Sequence, residues 1–268
     1  MKIPVFPNLG NTCYVNSVLQ CFVYNEKLKQ NTQTAEQTPL ILEFNKLTSI
    51  IDTSENGEYL AIFYNLNNFI NLLPFKRFEQ QDAHEFILYL LDKLNLKLFY
   101  GTTQTDIHCL KCQTVKNVYE EFNSINLTIP LENSNLTNLI VNYFEIEVHT
   151  NEDNLYFCET CNCLTSYSKK IILHILPETL IIVLKRYTET GCKIISEVEI
   201  DNVLNIKESS TGNIKVYNLT STINHIGNLY NGHYTNYINK NRWMHVDDQF
   251  VKVEPFNGKD AYILFYSS

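Results

Sequence analysis

Eight cysteines and seven histidines stand in this chain of 268 residues, and their spacing sorts them into two kinds of chemistry. The first centres on Cys13, in the stretch Asn8-Leu9-Gly10-Asn11-Thr12-Cys13-Tyr14-Val15-Asn16. From Cys13 onward Val15, Val18, Leu19 and Phe22 recur at helical spacing, so the thiol is expected at a helix N-terminus. Unpaired backbone N–H groups and the positive end of the helix dipole favour a thiolate there, the form that attacks. Gly10 allows a tight turn, and Asn8 is near enough in sequence to aim its amide at an oxyanion on the atom that Cys13 attacks. A small buried cysteine on an amphipathic helix would give the same pattern, so the assignment depends on partners elsewhere in the chain.

A thiol nucleophile needs an imidazole and a group to orient it. Residues 232–238 and 242–248 read as the arms of a hairpin around Asn239-Lys240-Asn241. With Lys240 at the centre of that loop, His233 and Asp247 fall directly opposite on one face. Their Cβ atoms would be roughly 5 Å apart, within reach of an imidazole–carboxylate hydrogen bond. By this argument His84, His108, His149, His174 and His245 lack such a partner and are expected at the surface or in packing. His225, ending the preceding strand, is expected near the site in a structural role.

The second chemistry is metal binding. Cys109/Cys112 and Cys158/Cys161 form two C-x-x-C pairs, and together they supply the four thiolates of a closed, tetrahedral structural zinc site. A full set of protein ligands leaves no open position, so one ion is expected to hold a hairpin region together and take no part in catalysis. Cys163 is a competing ligand, but the x-x spacing favours Cys161; Cys21, Cys163 and Cys192 are expected as free thiols.

The elements that must position these residues follow from periodicity and breakers. After the Cys13 helix, residues 26–39 are polar and expected as a surface loop or a short frayed element. Residues 40–51 have helical periodicity, 52–58 form a turn around Gly57, and 66–73 form a short helix that Pro74 ends. Asp82-Ala83-His84-Glu85 has capping-box spacing and leads a stripe of Phe86, Leu90, Leu94 and Leu98. From Tyr100 the pattern is mainly β. A short helix is expected over 136–144, a strand over 171–176, a strand buried on both faces over 180–187, a polar loop over 207–213, and strands from 214 to the closing run 261–266.

Composition sets the outer limits. With 44% hydrophobic and 12% aromatic residues the chain is globular, and a formal charge of -8 argues against a phosphate-binding surface, hence against nucleic acid. The first residues do not open into the apolar run of a signal peptide, and no apolar segment is long enough to cross a bilayer. Cytoplasmic and/or nuclear placement is therefore expected, with no membrane partner. The expected fold class is α+β.

Three stretches together resemble one family, the ubiquitin-specific proteases, which are papain-like cysteine hydrolases. Asn8 to Asn16 resembles its cysteine box, Gln80-Gln81-Asp82-Ala83-His84-Glu85-Phe86 is similar to the motif at its second helix, and Gly232-His233-Tyr234 with Trp243 and Asp247-Asp248 resembles its histidine box. Leu176-Pro177-Glu178-Thr179-Leu180, Leu184-Lys185-Arg186-Tyr187 and Ala261-Tyr262-Ile263-Leu264-Phe265-Tyr266 are further matches in family order.

The resemblance implies a single catalytic domain over 1–268 with a thumb, palm and fingers architecture. Residues 1–99 would be a mainly helical thumb, 100–170 zinc-bearing fingers and 171–268 a mainly β palm. It implies cleavage of the bond after the C-terminal glycine of ubiquitin, with Cys13 as nucleophile, His233 as base, Asp247 as its orienter and Asn8 as oxyanion donor. Asp248 would polarise water or orient Asn8. Asp82 and Glu85 would meet the arginine-bearing tail of ubiquitin, Gln81 would be a further substrate-binding residue, and Gly232 and Tyr234 would line a channel narrow enough to select Gly-Gly. Ubiquitin and ubiquitinated proteins are the implied partners. No recognisable targeting module precedes Asn8, so substrate choice is expected to rest on an activating or targeting partner or on surface loops. Two other readings stay open on sequence: the same chemistry on another ubiquitin-like modifier, and a catalytically silent ubiquitin-binding scaffold.

Overall fold

The computed structural model describes residues 5–53, 59–76, 78–229 and 231–268. Five helices come first: α1 (Cys13–Val23), α2 (Glu26–Thr34), α3 (Pro39–Thr53), α4 (Tyr59–Asn71) and α5 (Ala83–Lys93). Then follow β1 (Gly101–Cys109), β2 (Val115–Phe122), β3 (Ile125–Thr128), β4 (Ser134–Asn135), α6 (Leu136–Tyr143), β5 (Glu147–His149), β6 (Tyr156–Cys158), β7 (Cys163–Thr165) and β8 (Tyr167–Ile175). The chain closes with β9 (Thr179–Lys185), β10 (Val198–Glu199), β11 (Val203–Lys207), β12 (Ile214–Gly227), β13 (Gly232–Asn239), β14 (Trp243–Asp247), β15 (Phe250–Val253) and β16 (Ala261–Ser267). The mixed helix and strand content is the α+β class expected.

An eight-stranded sheet runs β15-β14-β13-β12-β16-β9-β3, with β11 added to β12. Its two faces bury alternate residues of the same strands, as a pleated strand requires. Ile181 and Val183 of β9, with Ile263 and Phe265 of β16, pack into a core shared with α1 and α3 to α5. Leu180, Ile182 and Leu184, with Leu264 and Tyr266, pack on the opposite side with Leu136 and Leu139 of α6. That two-sided burial is why these strands read as continuous apolar runs. A separate sheet, β2-β1-β8-β5, leads out to the small hairpin β6-β7.

All residues of α1 are buried. Tyr14 meets Phe86 of α5 edge to face with ring centroids 5.4 Å apart, and Phe22 stacks on Phe99 at 5.6 Å. Across its other side, Asn236 of β13 donates through Nδ2 to the Ser17 carbonyl (2.8 Å) and the Cys21 sulfur (3.2 Å). The helix that starts at Cys13 is thereby fastened to the strand that starts beside His233.

Several elements differ from expectation. Residues 26–34 form a true helix despite their polarity. The Asn25 side chain accepts from the Leu28 N–H at 3.1 Å, capping it, and a single fully buried leucine, Leu28, anchors it. One buried Leu is worth roughly 1.5–3 kcal/mol, a signal that periodicity over nine residues does not register. Helix α4 begins seven residues before the expected start, and the strand expected at 171–176 is the end of the longer β8. The turn expected around Gly57 lies outside the described residues.

Candidate active site and metal cluster

Cys13 is the first residue of α1, and the capping Thr12 makes no side-chain hydrogen bond to the helix. Its hydroxyl instead accepts from the Leu9 N–H at 2.9 Å, which folds the preceding loop back on itself. Gly10 has φ +101°, and a Cβ there would lie 2.3 Å from the Phe78 ring, so this turn admits only glycine. Cys13 is 2% exposed, at the N-terminal end of α1, which packs on β13.

His233 Nε2 lies 2.6 Å from Asp247 Oδ1. A hydrogen bond with the Cys13 thiol engages the same ring, leaving Nδ1 as the nitrogen that serves the sulfur. This bond is the first cause that raises the His233 pKa to about 9, with the hydrogen bond and charge of Asp247 adding to it against partial desolvation. The raised pKa favours the imidazolium form, which has two N–H groups, the one on Nε2 directed at Asp247.

The register that joins His233 to Asp247 differs from expectation. Pairing runs Asn239↔Trp243, Ile238↔Met244, Tyr237↔His245 and Asn236↔Val246, which places Asn241, not Lys240, at the centre of the loop. Asn241 takes φ +68°, a conformation that asparagine tolerates. The two residues are thus diagonal neighbours on one face rather than directly opposite, and the ladder ends before reaching them. Because the slip is even, the face is preserved, and the contact survives the error. The chain then turns through Asp248, at φ +48°, into β15.

Asp248 connects that turn to the loop that precedes Cys13 and to α1. Its Oδ2 accepts from Asn8 Nδ2 at 2.9 Å and its Oδ1 from Asn16 Nδ2 at 2.7 Å. Asn8 Oδ1 in turn accepts the backbone N–H groups of Gly10 (3.1 Å) and Thr12 (3.2 Å). Of the two protons on Asn8 Nδ2, Asp248 takes one. His233, Asp247 and Asp248 also lie close enough to share a cation, but their facing oxygens and ring nitrogen are already paired to one another and to the two asparagines.

Beside the cleft, Gln80, Asp82, His225, Gly232, Tyr234 and Gln81 line a cavity of about 280 Å³. Asp82 is the N-cap of α5: Oδ1 accepts from His84 N–H (2.7 Å) and Glu85 N–H (3.0 Å), while Oδ2 accepts from the Tyr262 hydroxyl (2.8 Å). Both oxygens are engaged within the chain, whereas Glu85 is exposed. A Cβ on Gly232 would lie 2.0 Å from His225 Nε2, so glycine here is a matter of space. The Tyr187 hydroxyl bonds His225 Nδ1 at 2.9 Å, and Tyr234 is buried with its hydroxyl 3.4 Å from the Ala83 N–H.

Sequence reasoning passed over three residues here. Gln80 bonds the backbone of Gly232 twice, Nε2 to its carbonyl at 2.6 Å and Oε1 from its N–H at 3.0 Å. Tyr262 reaches Asp82, and Asn16 reaches Asp248. The available signal for Asn16 was an amide one turn after Cys13 in a mostly apolar helix. Carboxylate partners were also underestimated: His149 lies 3.3 Å from Glu147 and His245 3.2 Å from Glu254, but neither meets a cysteine.

At the far end of the β2-β1-β8-β5 sheet, the sulfurs of Cys109, Cys112, Cys158 and Cys161 lie within 4.8 Å of one another. Tetrahedral zinc with Zn–S near 2.3 Å puts its sulfurs about 3.8 Å apart. The pairs Cys112/Cys158 at 3.6 Å and Cys109/Cys161 at 3.9 Å bracket that value. Thr114 and Thr165 hydroxyls stand 2.9 Å and 3.3 Å from Cys112 and Cys109, placed to support ligands from behind. Hydrogen bonding from Thr165 leads in lowering the Cys109 pKa to about 6, while contact with Cys112 leads in raising that of Cys161 to about 12. Four thiols this close cannot all ionise without a cation, and the cluster fits one. Cys163 stands opposite Cys158 in the β6-β7 ladder and faces Lys111 at 3.5 Å, outside the set.

A thiol, an imidazole and a carboxylate in this order are the parts of nucleophilic acyl transfer. The model of the ubiquitin carboxyl-terminal hydrolase family matches residues 6–266, and the chain belongs to that family. Human ubiquitin carboxyl-terminal hydrolase 42 is 25% identical over an alignment covering 97% of this chain and 22% of that protein. Human ubiquitin carboxyl-terminal hydrolase 17-like protein 11 is 28% identical, covering 97% of this chain and 54% of that protein. The chain thus spans about a fifth to about half the length of these relatives. Among solved structures, the SAGA DUB module of Ubp8, Sgf11, Sus1 and Sgf73 bound to monoubiquitin superposes with a TM-score of 0.83 at 21% identity, covering 98% of this chain and 68% of that one. The same module bound to ubiquitin aldehyde gives 0.79 at 22%, covering 98% and 69%. These likenesses establish the shared thumb, palm and fingers fold. Among the described residues no helix is long and apolar enough to cross a membrane.

Proposed function

We propose that this chain is a thiol-dependent deubiquitinase that hydrolyses the isopeptide or peptide bond after the C-terminal glycine of ubiquitin. The observation that carries this is His233 held between Cys13 and Asp247 while Asn8, five residues before Cys13, is tied to Asp248, the neighbour of Asp247. The Cys13 thiolate attacks the carbonyl carbon, and the oxyanion is stabilised by the free Nδ2 proton of Asn8 and the Cys13 N–H. The His233 imidazolium protonates the departing lysine amine, then takes a proton from the water that releases ubiquitin. Asp247 holds the ring in orientation, and Asp248 fixes Asn8.

The substrate tail enters past Gln81, Gly232 and Tyr234. Glu85, exposed at the first turn of α5, supplies the free carboxylate for the tail's arginines, and Asp82 shapes the entrance through its cap and its tyrosine contact. The whole chain acts as one catalytic domain, with 1–99 as thumb, 100–170 as fingers and 171–268 as palm. Cys109, Cys112, Cys158 and Cys161 hold one structural zinc ion. Ubiquitin and ubiquitinated proteins are the partners, with a further protein supplying targeting or activation. Eight unpaired thiols favour a reducing compartment, the cytoplasm or nucleus.

The test is labelling with ubiquitin bearing a C-terminal electrophile, in competition with other ubiquitin-like modifiers. Wild-type protein is expected to form the ubiquitin adduct on Cys13, and Cys13→Ala none. Exclusive reaction with another modifier would reassign the substrate, and binding without reaction would leave a scaffold.

A further inference from the structure

Asn16 follows Cys13 by three residues, about one helical turn, and is 3% exposed. A polar amide in a fully buried helix is costly unless its groups are paired. Nδ2 is paired: it donates to Asp248 Oδ1 at 2.7 Å, with the Pro7 carbonyl at 3.2 Å and the Phe6 carbonyl at 3.3 Å beside it. Among the described residues its Oδ1 is buried without a hydrogen-bond partner. An apolar residue of similar shape would avoid that cost but would deprive Asp248 Oδ1 and the Phe6 and Pro7 carbonyls of their donor, so the reason for an amide lies in the groups it holds.

The satisfied half of the amide is the half that reaches the oxyanion loop. Asn16 grips the backbone just before Asn8 and one oxygen of Asp248, whose other oxygen holds the Asn8 side chain. A rigid helix, which also carries Cys13, thus sets both ends of Asn8. We propose that Asn16 is a positioning residue that keeps the Asn8 amide in register with the Cys13 thiol, acting through Asp248. This rests on the acyl-transfer reading above. Without the Asn16 donor, the Asp248 carboxylate loses a charge-assisted hydrogen bond on Oδ1 and is free to rotate, and Asn8 loses its fixed direction.

Steady-state cleavage of a ubiquitin conjugate tests this, with active sites counted by titration with the ubiquitin electrophile so that misfolded protein is excluded. Asn16→Ala is expected to lower kcat by about 10- to 100-fold with KM changed less than about twofold. In an Asn8→Ala background the same substitution is expected to cost less than about threefold, because no amide remains to be positioned. Equal losses in both backgrounds would assign Asn16 to fold support alone and overturn the proposal. Asn16→Asp keeps the shape but sets a carboxylate against Asp248. Its rate relative to wild type is expected to rise as pH falls from 8 to 6, when one carboxyl of the pair takes a proton and donates again. A ratio independent of pH would also overturn the proposal. If wild-type protein shows no turnover, the functional reading itself fails; turnover with multiplicative losses defeats only the role of Asn16.

Discussion

The cleft and the tip of the fingers both gather cysteines, yet they make opposite use of sulfur. At the tip, four thiols converge on one point, each pair carried on a tight local turn, with two threonine hydroxyls behind them. In the cleft a single thiol stands at a helix N-terminus against an imidazole, and its supports come from positions more than two hundred residues away. On the reading proposed above, the tip has its four ligand positions filled by the protein, so it would bind and brace but not turn over. In the cleft, on the same reading, the second Nδ2 proton of Asn8 would serve the reaction. Local geometry suffices for a metal knuckle; a nucleophile needs a fold.

Separating the two regions by mutation should produce the largest effects. Cys13→Ala is expected to abolish ubiquitin labelling and turnover while metal analysis still returns about one zinc per chain. Cys112→Ser is expected to lose that zinc and raise KM for ubiquitin substrates, with Cys13 still reactive toward a small alkylating reagent. If Cys112→Ser silences Cys13 toward the small reagent, the two regions are not independent.

Within the cleft, Asn8→Ala is expected to lower kcat by on the order of 10²–10³ with little change in KM, the cost of one oxyanion donor. An equal rise in KM would instead mark Asn8 as a ground-state contact.

The pH behaviour sharpens the contrast between a reactive thiol and a braced one. With the His233 pKa raised to about 9, the imidazolium required for leaving-group protonation is lost above that pH, so the upper limb of the rate profile is expected near 9. Because the folded pKa exceeds the ordinary value of about 6.5, the stability this group contributes is full below about pH 6.5 and is lost as pH rises through about 9. NMR titration of Cys13→Ala should show the His233 pKa moving down, since the thiol is the leading cause of its elevation. An unchanged value would place the cause elsewhere.

The smallest effect is expected at the tip. Thr114→Val removes the hydroxyl 2.9 Å from Cys112 and should weaken zinc retention about tenfold, by loss of ligand support, measured by competition with a chelator. Turnover at saturating zinc should be unchanged.

Much of this was legible before folding, and for identifiable reasons. Two C-x-x-C pairs carry their geometry locally, so the four cysteines were grouped from sequence as the structure groups them, with Cys163 set aside. The α5 cap was readable because a side chain that bonds N–H groups two and three residues ahead leaves its mark in consecutive positions. The Cys13 helix was legible from its apolar period. The His233–Asp247 contact was found with a hairpin centre one residue off, since turn residues such as Asn239-Lys240-Asn241 admit more than one register. Helix α2 was missed because one buried leucine gives no period.

From sequence alone came the residue types able to react, the helix end that carries Cys13, the metal knuckles, and the face shared by His233 and Asp247, all of them properties of neighbours or of parity along a strand. Only the tertiary structure decided that Asp248 joins Asn8 to Asn16, that Asp82 is turned inward to Tyr262, and that Gln80 clasps Gly232. Those contacts link positions between 150 and 240 residues apart, and no local pattern encodes them, because they exist only once helix α1 and strand β13 have been packed together.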